Sequence, residues 1–363
     1  MKIVAVGGTW NADGGRPSKV FARLARGIAE ALAAPDDHVH VANGGPIELL
    51  AAPTADTDVL IWMPDVPNDH PKLIDQIKQS HPRVILVGSK RLDGRDITLV
   101  DVLNRMLHAK MNLGLVIDKQ GDRFRGRVFD PLGNVFAEGQ DFEVLGRALA
   151  ERARFLRSMH RVGSVSIGPI KPEHIEDQQA IPPTFIDFVR GAATIFDRLV
   201  PRPKQVTRFL GNAAFRCSYG FPALRLRKRI YVSPRNIDKG VIGPESFVPV
   251  EPFRPFDPQV LYYGKVQPSV DTPVDLLLFD RYPSINFLIH GHVYIKDAPF
   301  TVDPIPCGAI EEFEAIYEAV GVWSGPWFCV NLRGHGCILG WHACPTAKPE
   351  AHLFYARPTE ELV

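Results

Sequence analysis

The stretch Gln267–Ile295, QPSVDTPVDLLLFDRYPSINFLIHGHVYI, decides how the second half of the chain is interpreted. It places a carboxylate, Asp271, before an amphipathic segment, and an apolar strand follows that ends in His290-Gly291-His292. Side chains two positions apart point to the same face of a strand, so these two imidazoles could bind one metal ion. A third histidine, His335, stands between glycines after another apolar run, WFCVNL. Without further context, chance or packing explains such a pair equally well.

The composition predicts a globular protein with two domains. A chain of 363 residues is too long for one ordinary core, and its net charge of +1 gives no general attraction for nucleic acid. No segment has the length and apolar purity of a membrane span, and the start MKIVAVGG lacks the long apolar core of a signal peptide. We therefore expect a cytoplasmic protein that binds neither membranes nor nucleic acids.

The first half alternates short apolar runs with helical patterns. Strands are predicted over residues 2–7, 38–41, 58–63 and 83–88, and helices from Ser18 as N-cap through Leu32, over 71–79 and over 98–108. This alternation predicts a parallel, Rossmann-like sheet. Three short strands and a helix over 142–159 complete a first domain of residues 1–160.

The second half has a different pattern. Residues 161–182 are rich in glycine and proline and predict an irregular linker. The second domain, residues 183–363, begins with a helix over 184–199 and continues as mixed helices and strands. Strands are predicted over residues 213–219, 224–232, 286–295 and 328–332.

A glycine-rich loop follows the first strand. Gly8, Gly14, Gly15 and Lys19 lie between that strand and the first helix, which is where α/β sheets bind ligands. Backbone N–H groups and the helix dipole favour an anion there, so these residues are candidate contacts for a nucleotide or a sugar phosphate. The spacing matches neither the dinucleotide-binding motif nor a phosphate-binding P-loop, and a purely structural turn remains the alternative.

Five sequence cues give the second half a resemblance to the class II aldolase/adducin family, over roughly residues 205–342. They are Gly211-Asn212-Ala213-Ala214-Phe215-Arg216, Tyr231-Val232-Ser233-Pro234-Arg235-Asn236-Ile237, Pro268-Ser269-Val270-Asp271, Ile289-His290-Gly291-His292 and His335-Gly336. The run from Pro268 to Pro273, with Tyr282-Pro283 after it, most resembles the L-ribulose-5-phosphate 4-epimerase branch. That branch has Asp where fuculose-phosphate-type aldolases have Glu. The resemblance implies a class II aldolase-like α/β/α fold for this half.

The resemblance also implies roles for individual residues. His290, His292 and His335 would be the three protein ligands of a divalent metal, with Zn²⁺ preferred, and would leave a coordination position open for substrate. Asp271 would act beside the metal as a proton shuttle or occasional ligand. It could also cap the helix that starts at Thr272. The residues that match positions holding the substrate phosphate are Gly211, Asn212, Ser233, Asn236 and Ser269. Arg235 would either bind phosphate or carboxylate or lie on the surface.

Two departures from the family pattern concern the reaction itself. The segment after the histidine pair has no clear equivalent of a further acid or tyrosine, and Asp303 and Asp297 are the candidates for it. The family's long final helix cannot form, because Pro345 and Pro349 interrupt it. Tyr355 is the candidate substitute for the catalytic tyrosine of that helix. Family members are usually cyclic tetramers, which implies a homo-oligomer.

The resemblance implies a lyase or epimerase that acts on a small sugar phosphate or a related hydroxy-carbonyl compound, through a metal-stabilised enediolate. Two alternatives remain. One is a non-catalytic, adducin-like binding or assembly module, although relatives of that kind lose the metal ligands that are all present in this chain. The other is a nucleotide-sugar-processing enzyme whose N-terminal domain binds the nucleotide.

Overall fold

The chain forms two compact units, Met1–Ser158 and Met159–Leu362. A computed structural model describes residues 1–32, 34–50, 56–66, 77, 84–92, 98–120, 123–201, 209–217, 229–252, 259–346, 348–353 and 356–357. Each unit has its own large sheet and its own hydrophobic core. Within the described ranges, no helix is long and apolar enough to cross a membrane.

The first unit contains a seven-stranded sheet. Its strands are β1 (Lys2–Asn11), β2 (His38–Pro46), β3 (Val59–Trp62), β4 (Ile85–Leu92), β5 (Leu113–Gln120), β6 (Arg123–Phe129) and β7 (Val135–Gly139). Their order is β2-β1-β3-β4-β5-β6-β7, parallel from β2 to β5 and antiparallel for the last two. The Rossmann-like parallel sheet predicted from the sequence is confirmed.

Within the described residues of this unit, the helices are α1 (Lys19–Ala31), α2 (Leu99–His108) and α3 (Phe142–Ser158). The hydroxyl of Ser18 accepts a hydrogen bond from the backbone N–H of Phe21 at 3.2 Å, which confirms the predicted N-cap. Apolar side chains of α1 and α3, among them Leu24 and Leu149, share one core with the inner face of the sheet. The helix predicted over 71–79 lies outside the described residues, apart from residue 77.

The second unit contains an eight-stranded sheet. Its strands are β8 (Gly163–Ser166), β9 (Asn212–Cys217), β10 (Arg229–Val232), β11 (Val248–Val250), β12 (Gln259–Tyr262), β13 (Phe287–Gly291), β15 (Trp327–Leu332) and β16 (Gly336–Trp341). Their order is β15-β16-β13-β9-β10-β11-β12-β8, and only the β12–β8 pair is parallel. A short pair, β14 (Tyr294–Ile295) and β17 (Ala356–Arg357), lies apart from this sheet.

Helices cover both faces of that sheet. The unit's helices are α4 (Pro172–Gln179), α5 (Pro183–Leu199), α6 (Thr272–Arg281), α7 (Glu311–Val320) and α8 (Pro349–Leu353). On one face, the ring of Phe185 from α5 lies 4.7 Å from that of Phe287. On the other, Leu288 joins a core with Leu278 of α6 and Ile316 of α7. Alternating side chains of β13 therefore face different helices, as the two-residue period of a strand requires.

The segment predicted as an irregular linker holds regular structure, and that prediction was wrong. Residues 161–182 include β8, which extends the sheet beside β12, and α4. The side chain of Asp177 on α4 is buried and accepts a hydrogen bond from the Tyr231 hydroxyl. It also forms an ion pair with Arg229, in which Asp177 Oδ2 lies 2.7 Å from Arg229 Nε. The inward-facing residues of this helix are polar, and for that reason its sequence lacks the apolar stripe by which a helix is usually predicted.

Candidate metal centre

Three buried histidines meet at one end of β13. His290 and His292 come from the end of that strand, and His335 comes from the tight turn that joins β15 to β16. Their ring centroids lie 4.5 to 5.2 Å apart, and their potential ligand atoms lie within 4.8 Å of one another. A side chain at Gly336 would place its Cβ 2.0 Å from the Gly291 carbonyl oxygen. Glycine at position 336 therefore lets the turn approach the strand closely enough to bring His335 to the pair.

Hydrogen bonds fix the orientation of two of these rings. His290 Nδ1 lies 2.9 Å from the Cys337 carbonyl oxygen, and His335 Nδ1 lies 2.6 Å from Glu312 Oε1. These acceptors take the Nδ1 protons, so the opposite nitrogens point inward. Among the described residues, neither His290 Nε2 nor His335 Nε2 has a hydrogen-bond partner, although both are buried. A divalent cation would satisfy both nitrogens, and such outer hydrogen bonds are typical of metal-ligating histidines.

The charges around the rings favour a cation. Burial, and then the neighbouring His335, lower the pKa of His290 to about 4, so its imidazole is neutral and can act as a ligand. Burial also opposes the charged form of His335. The carboxylates of Glu312 and Asp271 nevertheless raise the pKa of His335 well above its ordinary value. That negative potential would equally stabilise a metal ion at Nε2.

Asp271 faces the histidines directly. Its Oδ1 lies 3.6 Å from His335 Nε2 and its Oδ2 lies 3.8 Å from His290 Nε2. Asn212 Nδ2 donates to Oδ2 at 3.3 Å, and Ser269 is close enough to do so at 3.4 Å. Burial raises the pKa of Asp271, but the charges of His335 and His290 and the hydrogen bonds from Cys307 and Asn212 outweigh it, and the pKa is lowered overall. Asp271 occupies the N-cap position of α6, yet its side chain makes no capping hydrogen bond and points to the site instead.

Two further buried carboxyl groups belong to the cluster. Glu312 lies in the first turn of α7 and is 2% exposed, and Asp275 lies one turn after Asp271 on α6. Burial, followed by the charges of Asp271 and Glu312, raises the pKa of Asp275 well above its ordinary value, so this group is neutral. Glu312 therefore orients His335, while Asp275 lies behind Asp271 without adding charge.

A partly open cavity adjoins the histidines. Its polar lining is Asn212, Asp197, Asp238, Lys239, His290 and His292, and its apolar lining includes Val189, Ala192 and Phe196 of α5. Lys239 is only 6% exposed and is close enough to His290 to lower the pKa of that imidazole. The cavity thus offers a buried ammonium group beside two of the three imidazoles.

Comparisons with known proteins give the following likenesses. No protein-family model and no curated protein matches the sequence. Part of the chain is similar in structure to L-fuculose-1-phosphate aldolase from Thermus thermophilus, with 18% identity over 47% of this chain and 86% of that one and a TM-score of 0.28. The N-terminal class II aldolase domain of a Thermoplasma acidophilum protein gives 14% identity over 48% and 92%, with a TM-score of 0.32.

A solved structure of another kind also matches part of the chain. It is the DNA/pantothenate metabolism flavoprotein from Streptococcus pneumoniae, with 16% identity over 42% of this chain and 98% of that one and a TM-score of 0.33. The family that the sequence motifs resemble thus recurs among the solved structures similar to about half of the chain. Because these identities and TM-scores are low, the function has to be argued from the site itself.

The predicted substrate-binding residues divide into two groups. Asn212, Ser233 and Ser269 are buried in hydrogen-bonded segments next to Asp271, and Gly211 precedes Asn212 there. The Ser233 hydroxyl accepts a hydrogen bond from the Ala213 backbone N–H at 3.0 Å, so this hydroxyl supports the backbone. Arg235 and Asn236 lie outside this buried group, and Asn236 accepts from the Phe209 N–H. For all six residues, contact with a substrate remains a prediction.

The two candidates for a further acid, Asp303 and Asp297, do not lie among the buried carboxyl groups. Asp303 and Asp297 are exposed in loops and do not belong to the buried carboxyl cluster, whereas Glu312 does. Tyr355 lies outside the described residues. Sequence reasoning assigns no helix around Glu312 and so misses its burial. The spacing of Glu312 and Ile316, both inward-facing on α7, was the available signal.

The candidate ligand-binding residues of the first unit lie around the end of β1. Gly8 and Gly15 have positive φ angles, and a Cβ at Gly15 would lie 2.0 Å from the Thr9 carbonyl oxygen. Close backbone packing therefore explains these glycines. Gly14 has open space at the Cβ position, and Lys19 is exposed at the first position of α1. Nucleotide or sugar-phosphate binding by these residues stays a prediction.

Proposed function

We propose that the chain is a metal-dependent enzyme of class II aldolase type, a lyase or epimerase for a small sugar phosphate or a related hydroxy-carbonyl compound. The observation that carries this proposal is the convergence of His290 Nε2 and His335 Nε2 on the ionised carboxylate of Asp271. Both nitrogens are buried, and their rings are held from behind by the Cys337 carbonyl and Glu312. Such an arrangement is costly for packing alone and is suited to holding a cation.

Zn²⁺ is the metal we propose for His290, His292 and His335. Three imidazole ligands with one open position are typical of catalytic zinc sites. When bound, the ion would act as a Lewis acid towards a carbonyl or hydroxyl oxygen of the substrate. The partly open cavity beside His290 and His292, whose lining is mostly apolar, would give the substrate access to that side of the centre.

Asp271 would move the proton. Its lowered pKa keeps it ionised, so it can accept a proton from a substrate hydroxyl or from the carbon next to a carbonyl. Asn212 and Ser269 hold its carboxylate in position, and both are buried. In cleavage, Asp271 would take the proton of the hydroxyl group next to the carbon–carbon bond that breaks. In epimerisation by cleavage and re-addition, it would return that proton to the oxygen once the bond has re-formed on the other face of the carbonyl.

The lining of the cavity is compatible with an anionic substrate. Lys239 is 6% exposed in its wall, which it shares with Asp197, Asp238 and the amide of Asn212. A phosphate or carboxylate group of the substrate would lie near this ammonium group and be attracted by its charge.

The proposal is tested by proton exchange on a hydroxyketone phosphate. We expect the purified protein to exchange the hydrogen next to the carbonyl of dihydroxyacetone phosphate with D₂O, followed by NMR. Removal of metal with a chelator should abolish exchange above background, and one equivalent of Zn²⁺ should restore it. An unphosphorylated hydroxyketone serves as the control substrate and should exchange about tenfold or more slowly, because it brings no negative charge to complement Lys239.

Two results would count against this function. One is exchange that continues unchanged in chelated protein, which would remove the metal from the reaction. The other is a zinc-loaded protein that neither exchanges nor cleaves any member of a panel of hydroxyketone phosphates, aldol phosphates and hydroxy acids.

A further inference from the structure

A fourth potential ligand lies beside the three histidines. The thiol of Cys307 donates a hydrogen bond to Asp271 Oδ1 at 2.9 Å, and the same oxygen lies 3.6 Å from His335 Nε2. The potential ligand atoms of Asp271, Cys307 and His335 all lie within 4.8 Å of one another. This second triad shares His335 with the triad of imidazoles, so Cys307 lies on the His335 side of the imidazole cluster.

The backbone holds Cys307 in this place. Gly308 has a φ of +75°, and a Cβ there would lie 2.5 Å from Val270 Cγ1 and 2.7 Å from the Val270 carbonyl oxygen. The turn that carries Cys307 is therefore packed against the residue that precedes Asp271. Ala309, two residues after Cys307, is fully buried. The thiol is directed at the site by the fold and is not a side chain that happens to reach it.

The nitrogens at the centre of the site point to a ligand independently of the cysteine. His290 Nε2 and His335 Nε2 are buried and make no hydrogen bond within the described part of the chain. We propose that Cys307 is a fourth protein ligand of the metal, which gives the resting centre three imidazole nitrogens and one thiolate, and that a substrate oxygen would add as a fifth ligand. This inference rests on the proposed metal centre and adds the sulfur ligand to it.

Ligation by sulfur would release a proton when the metal binds, and it would change which metal ions the centre prefers. When the sulfur–metal bond forms, the S–H bond breaks and the proton is released to solvent by way of Asp271 Oδ1, which accepts that hydrogen bond, so that Asp271 ends ionised. A thiolate favours Zn²⁺ and Co²⁺ over Mg²⁺ and Mn²⁺, which prefer oxygen. The centre should therefore select zinc or cobalt more strongly than three histidines alone would.

Cobalt substitution tests the sulfur ligand directly. Metal-free protein reloaded with Co²⁺ should show a sulfur-to-cobalt charge-transfer band in the near ultraviolet. Cys307→Ser should lose this band but keep the visible cobalt bands that come from the histidines, and its Zn²⁺ affinity should fall by at least about tenfold. Cys344→Ser is the matched control, because Cys344 lies near Thr184, away from the triad, and should leave the spectrum unchanged.

The outcomes separate this inference from the proposed function. Cobalt binding with no charge-transfer band, or with the same band in Cys307→Ser, would overturn the sulfur ligand and leave the histidine site standing. Failure of the wild-type protein to bind Co²⁺ at all would overturn both. If Cys307→Ser does not fold, alkylation of the wild-type protein decides the matter. Zn²⁺ should slow modification of Cys307, located by mass spectrometry, about tenfold or more relative to Mg²⁺, and equal rates would contradict the inference.

Discussion

Asp271→Asn is expected to lower turnover in the exchange reaction by about 10²- to 10⁴-fold while the protein keeps its metal. Asparagine has the same shape and can still accept from Asn212, but it cannot take up a proton. The three histidine ligands stay in place, but the change removes a carboxylate 3.6 Å from His335 Nε2 and 3.8 Å from His290 Nε2, so metal affinity should fall and the assay is run with excess Zn²⁺ to keep the site filled. The measurement is kcat for deuterium exchange together with zinc content in the same preparation.

Asp303→Asn is the matched control for that experiment. Asp303 is a carboxylate of the same unit that precedes Cys307 by four positions, but it is exposed. With Asp297, it is a candidate from the sequence for a further acid besides Asp271, and its replacement should leave kcat within a factor of about two, as is usual for surface substitutions. A large loss in Asp303→Asn with little loss in Asp271→Asn would reverse the assignment of the proton-transfer group.

Arg216→Ala is expected to destabilise the second unit by about 3–5 kcal/mol. The Arg216 guanidinium is buried and donates hydrogen bonds to carbonyl oxygens at the end of α6 and in the turn that leads into β13. The acceptors are Phe279 at 2.8 Å, Tyr282 at 3.3 Å, Pro283 at 2.7 Å, and Ile285. Burial lowers the pKa of Arg216 to about 10, so the group stays charged near neutral pH. Truncation would leave these carbonyls without their donor in the interior.

Thermal unfolding measures the loss of stability in Arg216→Ala, and hydrogen exchange of the β13 amides shows whether that strand is the part that loses protection. Arg216→Lys should be intermediate, because lysine retains the charge but not the planar fork that reaches several carbonyls at once. Arg235→Ala, a truncation of an exposed arginine, should stay within about 0.5 kcal/mol of wild type. Protection of β13 in Arg216→Ala equal to that in wild type would show that the carbonyls find other donors and that Arg216 does not hold the strand.

Local periodicity predicted the parts of the fold that follow simple rules. The sequence predicted a strand over 286–295 with His290 and His292 on one face, whereas β13 covers Phe287–Gly291 and His292 follows directly after it. The alternation of strands and helices gave the parallel sheet of the first unit, and Ser18 gave the start of α1. The resemblance to a known family added His335, because nothing in local sequence connects residue 335 with residue 290.

Buried polar residues account for most of what the sequence did not reveal. Glu312 faces inward from α7, and Asp177 faces inward from α4, so both helices lack a continuous apolar stripe. A charged residue in a sequence is read as exposed unless its partner is known, and these partners, His335 and Arg229, are distant along the chain. The sequence also did not reveal that the Ser233 hydroxyl accepts a hydrogen bond from the Ala213 N–H.

The metal content of the purified protein tests the central claim most directly. Protein prepared without a metal-affinity step and analysed by plasma mass spectrometry should carry about one equivalent of a divalent ion, with Zn²⁺ foremost. His290→Ala should lose that ion, whereas His160→Ala, which removes an exposed histidine bonded to Glu311, should retain it. Full zinc occupancy in folded His290→Ala, or a wild-type protein that takes up no zinc, would contradict the three-histidine centre.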